Sequence, residues 1–302
     1  MRWPEKVLIR EVGPRDGLQN ESAFIPTAVK IELIAGLAGA GVKAIEATSF
    51  VHPRAVPQLG DAEAVVEGVA RLFKQNGAEA PSPPVISALI GNMRGLERAV
   101  RAGVKEVVAV VSASEAHNRA NMNMTVRESL QQVREMGAAA TAAGVRLRGA
   151  VATAFGCPYQ GDITPGRVAN VVEGMLQAGV DEITLADTAG LGDPRRVYEL
   201  VVFLAARYPR TVWALHFHDN RGLALANCVT GLQAGVRILE SSVAGLGGCP
   251  FIPEAAGNVA TERLVYMLHR MGVDTGINAD ALAGCAFRLE EHLGRKLCRG
   301  GF

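Results

Sequence analysis

Several shortages in this sequence each close a line of explanation. Its 302 residues hold five cysteines, at 157, 228, 249, 285 and 298, an odd set with no Cys-x-x-Cys spacing. That argues against a disulfide framework or a zinc knuckle and suits a reducing cytoplasm. No block of like charge occurs, and 31 Lys and Arg balance 30 Asp and Glu to a net charge of +1. Nothing therefore points to nucleic acid or a membrane surface as partner. Apolar runs are strand-sized or broken by Gly and charge, short of the ~20 residues a membrane helix needs. The opening Met1-Arg-Trp-Pro-Glu-Lys6 lacks the apolar core of a signal peptide, so a cytoplasmic location is expected. A Gly-x-Ser-x-Gly elbow is missing, and no dinucleotide fingerprint follows the first strand; Gly245-Leu-Gly-Gly-Cys249 has neither its spacing nor its place.

What is present is a repeat. With 49% hydrophobic and 20% charged residues the chain can bury a large core. Ala-Gly-Val plus a charged residue recurs at Ala40–Lys43, Ala102–Lys105, Ala143–Arg146, Ala178–Asp181 and Ala234–Arg237. Each Gly follows a segment of helical periodicity and precedes a short, often β-branched apolar run, so the unit reads helix, Gly cap, strand. Eight strands are expected: Val7–Val12, Lys43–Thr48, Val85–Ile90, Glu106–Val111, Arg146–Ala152, Asp181–Ala186, Val212–Phe217 and Arg237–Ser242. Eight αβ units without a nucleotide fingerprint favour an α/β protein of the (β/α)8 TIM-barrel class over an open sheet. The expected organisation is one domain over 1–302. Its barrel covers about 7–271, and extra C-terminal helices at about 277–302 pack across it or form a subunit contact.

Barrel enzymes carry their chemistry where the strands end. Here strand one runs into Glu11-Val-Gly-Pro-Arg15-Asp16-Gly-Leu-Gln19, strand two carries Glu46 and ends at Ser49, strand five holds Arg148, and strand six ends at Asp187. Strand seven delivers His216-Phe-His218, two imidazoles on one face of a period-two strand. An isolated His-x-His is equally a pair of incidental surface histidines, and a lone buried carboxylate has a plainer reading as half of a salt bridge inside the barrel. Their convergence on one mouth favours a mixed N/O site of Asp16 and two imidazoles for a divalent metal, magnesium, manganese, cobalt or zinc. Arg15 beside it would offer N–H donors to a developing oxyanion.

These segments resemble the 3-hydroxy-3-methylglutaryl-CoA lyases of the metallolyase superfamily. The matches are Val12-Gly-Pro-Arg-Asp-Gly-Leu-Gln-Asn-Glu21, Ile45-Glu-Ala-Thr-Ser-Phe-Val51, Gly156-Cys-Pro-Tyr159, His216-Phe-His-Asp219, Ser242-Val-Ala-Gly-Leu-Gly-Gly-Cys-Pro250, Ala256-Gly-Asn258 and Tyr266-Met-Leu268. They span nearly the whole chain. The resemblance implies a divalent cation, Mg2+ or Mn2+, held by Asp16, His216, His218 and Asn258, and an acyl-CoA thioester substrate cleaved to acetyl-CoA and a ketoacid. It implies that Arg15 steadies the enolate oxygen and that Cys249 handles the enolate proton. Glu46, Asp187 and Glu262 are implied as carboxylates that orient ligands and tune proton transfer, with Gln19, Ser49 and Arg148 lining the mouth towards substrate. A homodimer is also implied.

Cys157 sits in a similar Gly-Cys-Pro string, but the double Gly before Cys249 permits closer approach and loop movement. Cys157, Cys228, Cys285 and Cys298 read as structural, and His52, His117, His269 and His292 as ordinary exposed or boundary histidines. Glu254, His52 and the segment His117–Met122 depart from the family pattern, which leaves the acyl group open. Rival readings are a condensing synthase, a metal-dependent hydrolase, and a barrel that binds metal without turnover. Many condensing synthases carry a regulatory domain for which the residues after 270 leave no room.

Overall fold

All five Ala-Gly-Val marks end a helix: α1 (Thr27–Gly39), α3 (Met93–Arg101), α5 (Val126–Ala142), α6 (Pro165–Gln177) and α8 (Ala224–Gln233). The five glycines that follow take left-handed φ values between +65° and +104°, the backbone turn that closes a helix and that side chains resist. The intervening helices are α2 (Ala62–Gln75), α4 (Glu115–Met122), α7 (Pro194–Arg207), α9 (Thr261–Arg270) and α10 (Ala279–Leu293). In this computed structural model, which describes residues 3–75, 83–247 and 257–297, eight parallel strands close in chain order into a barrel.

The strands are β1 (Leu8–Glu11), β2 (Ala44–Ser49), β3 (Val85–Ile90), β4 (Glu106–Ser112), β5 (Arg146–Ala152), β6 (Glu182–Asp187), β7 (Val212–Phe217) and β8 (Ile238–Ser241). Their positions agree with the sequence pattern to within two residues at either end. β1 pairs with β8 over Leu8↔Ile238 to Glu11↔Ser241, which is the closing seam. The outer faces of the strands pack against the helices in one continuous apolar layer. After β8 comes α9 as the eighth barrel helix, and α10 packs on α1 and α9 within the same chain. No helix among the described residues is long and apolar enough to cross a membrane. Helix α4, capped by Ser114 and ended by left-handed Asn123, is an insertion before α5.

The inside of the barrel is ionic. Arg10 of β1 bonds Glu182 of β6 at 2.6 Å and Glu240 of β8 at 3.1 Å. Arg148 of β5 bonds Glu106 of β4 at 2.8 Å and lies 3.5 Å from both Glu46 and Glu240. Arg148 is fully buried, so its expected place at the mouth is corrected: it is part of the barrel filling beneath the site. Alternation along β5 fixes which face Arg148 takes. Depth is set by the stagger of strands around the barrel, which leaves Arg148 paired across β4 with Val108.

Buried charges are tolerable only when matched. Arg148→Met leaves several glutamates facing one another and is expected to cost ~3–5 kcal/mol of stability, read as the shift in the urea-unfolding free energy. A loss below ~1 kcal/mol would contradict this account of the interior.

Candidate active site

The chain leaves β1 in one wide turn, Gly13–Gly17, in which the amides of Arg15, Asp16 and Gly17 all return to the Val12 carbonyl. This winding turns Arg15 and Asp16 towards the barrel axis. A Cβ on Gly17 would stand 2.9 Å from both Ser242 Oγ and Leu246 Cβ, so the turn seats only because glycine lets it press against the loop after β8. Glu11 fastens the same junction: its carboxylate accepts from Gly13 N at 2.7 Å, Val243 N at 2.8 Å and Thr261 Oγ1 at 2.6 Å. Glu262 accepts from Ala244 N with both oxygens, holding the turn that leads to Gly247.

On the far side, His216 and His218 project together from β7 with ring centroids 5.1 Å apart. Residues 257–260 thread between the ends of β7 and β8: Val259 N donates to the Phe217 carbonyl and Ser242 N to that of Val259. The thread sets Asn258 beside His218. Asp16, His216 and His218 thus offer ligand atoms within 4.8 Å of one another, all three buried.

The donor set fits a divalent cation. Asn258 donates Nδ2–H to Asp16 Oδ2 at 2.7 Å and to the Leu246 carbonyl at 2.9 Å, while its buried Oδ1 has no hydrogen-bond partner. An acceptor left over beside a carboxylate and two imidazoles is what a cation would satisfy. His216 Nδ1 lies 3.3 Å from Glu240 Oε2, which fixes the tautomer and leaves Nε2 as the ligating nitrogen. Gly247, at φ +111°, closes the site from above; a Cβ there would come within 2.4 Å of Asn258 Nδ2 and 3.3 Å of Asp16 Oδ2.

Electrostatics follow from this packing. Burial opposes ionisation of Asp16, but Arg15 and the two histidines outweigh it and hold the carboxyl below its ordinary range. Arg15 donates from Nε to Glu46 and from Nη1 to Asp16, and those two carboxylates outweigh burial to keep its charge. Burial likewise opposes charge on His216, yet the Glu240 bond and Asp16 raise its pKa, so a proton competes with a cation for this ring. Gln19 Nε2 reaches Asp16 Oδ1 at 2.9 Å.

Above these groups opens a cavity of about 410 Å3 lined by Arg15, Asp16, Gln19, Ser49, His216, His218 and Glu240. Ser49 reaches it because β2 slips register between Glu46 and Thr48, which returns residue 49 to the face that Glu46 occupies. Its Oγ is buried without a protein partner.

Asp187 departs from expectation: Thr184, Ala186 and Thr188 line the cavity, so the odd-numbered position turns outward. Its carboxylate accepts from Leu191 N and Gly192 N at 2.8 and 2.9 Å and anchors the loop after β6. His117, expected as an ordinary exposed or boundary histidine, is buried and lines the cavity from α4, where burial pushes it down to about 4. Cys249 and Glu254 lie outside the described residues. Sequence reasoning missed Glu240 and the fastening role of Glu11, although each is a carboxylate at an apolar strand's interior or end, the signal that singled out Glu46.

A family model described as HMGL-like matches residues 6–286. The chain belongs to the HMGL-like family. This HMGL-like protein is 43% identical over 297 residues to hydroxymethylglutaryl-CoA lyase YngG of Bacillus subtilis, across 98% of this chain and 96% of that one. It is 45% identical over 280 residues to the mitochondrial hydroxymethylglutaryl-CoA lyase of Bos taurus, across 93% and 83%. The solved HMG-CoA lyase of Bacillus subtilis superposes with a TM-score of 0.92 at 42% identity, across 98% and 97%. That of Acinetobacter baumannii, in complex with coenzyme A and 3-methylmalate, superposes at 0.90 with 39% identity, across 97% and 93%.

Glu240→Gln, which loosens the His216 ring, is expected to weaken Mn2+ binding about 10–100-fold by titration calorimetry; unchanged affinity would remove Glu240 from this role. Burial pushes Glu11 up to about 7, against its three hydrogen bonds. A carboxyl whose folded pKa is raised stabilises fully below its unfolded value and loses that contribution as pH climbs through about 7. The stability of Glu11→Gln relative to the parent should therefore rise between about pH 5 and 8, by up to ~3 kcal/mol, in paired urea titrations; a flat difference is the contrary result.

Proposed function

We propose that this chain is a divalent-cation-dependent carbon–carbon lyase. It cleaves 3-hydroxy-3-methylglutaryl-CoA, or a closely related 3-hydroxyacyl-CoA, to acetyl-CoA and acetoacetate or the matching ketoacid. One observation carries the reading: Arg15 presents its guanidinium into the cavity directly beside the Asp16, His216 and His218 cluster. The names of the relatives above support it.

Asp16, His216, His218 and Asn258 would hold the cation, Mg2+ or Mn2+, which supplies Lewis acidity towards the substrate's oxygens. The residues do the rest. The C3 hydroxyl passes its proton to a base beside it, Asp16, a histidine or a bound water, the C2–C3 bond breaks, and the electron pair of that bond passes into the thioester as an enolate. Arg15, fixed by Glu46 and Asp16, neutralises the enolate oxygen with preset N–H donors. Cys249 returns a proton to C2 and so completes acetyl-CoA. Ser49 Oγ and Gln19 stand where they can receive the substrate's polar groups. Glu46 holds Arg15, Glu240 holds His216, and Glu262 holds the turn beneath Gly247.

The same proposal includes a homodimer in a reducing, cytoplasmic compartment. Free, buried Cys157, Cys228 and Cys285 support the compartment, and exposed Tyr198, Val202 and Phe203 on α7 support a second copy as partner.

Coupled release of acetyl-CoA from 3-hydroxy-3-methylglutaryl-CoA is expected, abolished by chelator and restored by Mg2+ or Mn2+. Arg15→Met should lose ~3 kcal/mol or more of transition-state stabilisation, about 100-fold in kcat. Turnover indifferent to thorough metal removal, or a folded Arg15→Met of normal rate, would sink this reading.

A further inference from the structure

The cavity has two unlike halves. From β7, β8, the turn after β1 and the end of β2 come His216, His218, Glu240, Arg15, Asp16 and Ser49, all polar. From β3 to β6 come Leu89, Val110, Ala150, Ala152 and Ala186, apolar and mostly small, together with Ile90 and with Thr184, whose hydroxyl is already donated to Glu240 at 2.9 Å. This second half is built into the strands, not the loops, and so forms the deep wall of the chamber. On each of these four strands the chain neighbours of Leu89, Val110, Ala150 and Ala186 are buried, while these four keep partial exposure to the cavity. Val110 and Ala150 are direct partners across β4 and β5, so the narrowest side chains stand together and hollow out the wall.

A 3-hydroxy-3-methylglutaryl group brings a hydroxyl, a carboxylate and a thioester carbonyl, and only a single methyl as apolar bulk. The polar half accounts for the first three. The methyl alone leaves the Leu89–Val110–Ala150–Ala186 wall facing open space, and apolar surface of that kind gains free energy when hydrocarbon covers it. The pantetheine arm does not serve, because it must arrive through the loops at the mouth, where Val51, Ala55, Val56 and Pro57 form a separate apolar edge.

We propose that the β3–β6 wall is a specificity pocket for a C3 substituent larger than methyl, making the preferred substrate a 3-hydroxy-3-alkylglutaryl-CoA with a hydrocarbon chain of several carbons. The proposal rests on the lyase reading above. Val110, Ala150 and Ala186 set the room available. His117 and Met122, from α4, stand at the rim, and His117 is uncharged at neutral pH because burial lowers its pKa to about 4, so it can border hydrocarbon.

The test compares 3-hydroxy-3-methylglutaryl-CoA with its synthetic 3-butyl homologue in the acetyl-CoA release assay, using the full chain loaded with Mn2+. The expected kcat/KM for the butyl substrate exceeds that for the methyl one by about 10-fold or more. Ala150→Phe fills the wall and should shift this ratio towards methyl by a further factor of about 10; Ala186→Leu is the second variant should the first not fold. Cleavage of the methyl substrate with an equal or lower value for butyl overturns the pocket and leaves the lyase reading standing. So does a ratio unmoved by both variants. Release of acetyl-CoA from neither thioester brings down both.

Discussion

Everything in the mouth of this barrel hangs on the way Arg10 and Arg148 are shared among glutamates from several strands. Neither guanidinium belongs to one partner: Arg10 spans β6 and β8, and Arg148 touches residues of β2, β4, β6 and β8. A hydrocarbon filling would serve stability as well or better. What the ionic filling adds is direction. Glu240 faces Arg10 and Arg148 on one side and His216 on the other. Glu46 faces Arg148 below and Arg15 above. The two glutamates thus carry the order of the interior up into two groups that line the cavity, a histidine and an arginine. The charges beneath the site are its mounting.

How much of this could be read from the residues depends on which coordinate is asked for. Periodicity reports faces well, and the Ala-Gly-Val marks report boundaries better still, because a left-handed residue closing a helix leaves few alternatives to glycine. His216 and His218 were legible for the same reason: two residues apart on a strand is one face. Depth was not legible. Arg148 and Glu46 both sit on inward faces, yet one is filling and the other touches the arginine of the site, since strand stagger decides height and no local pattern encodes stagger. Ser49 reached the mouth only through a slip in β2 pairing. Asp187 failed by parity: at a strand's last residue, one position separates the cavity from the helix layer. His117 gave no signal, since its helix is short and its ring is buried by contacts from distant chain.

The division of the cavity into a polar and an apolar half also comes from strand order. Residues from the ends of the chain, β1, β2, β7 and β8, bring the charged groups, and the strands in the middle of the chain bring mainly aliphatic side chains. The wall on β3 to β6 carries none of the proposed cation ligands and not the arginine; only Ala186, the register partner of His216 across β6 and β7, stands beside one, so the contour of β3 to β5 can vary while the polar groups stay fixed.

Asp16 and Asn258 meet across 242 residues of chain, and Glu11 bonds Thr261 and Val243 over the same seam. That closure has a temporal meaning. A nascent chain emerging from β1 onward carries Asp16 early but has no Asn258 beside it until almost all of the barrel has been made. The candidate cation site is therefore completed late, and it exists only if the first strand has found the eighth. A cation held by Asp16 and Asn258 together would therefore require the closed ring.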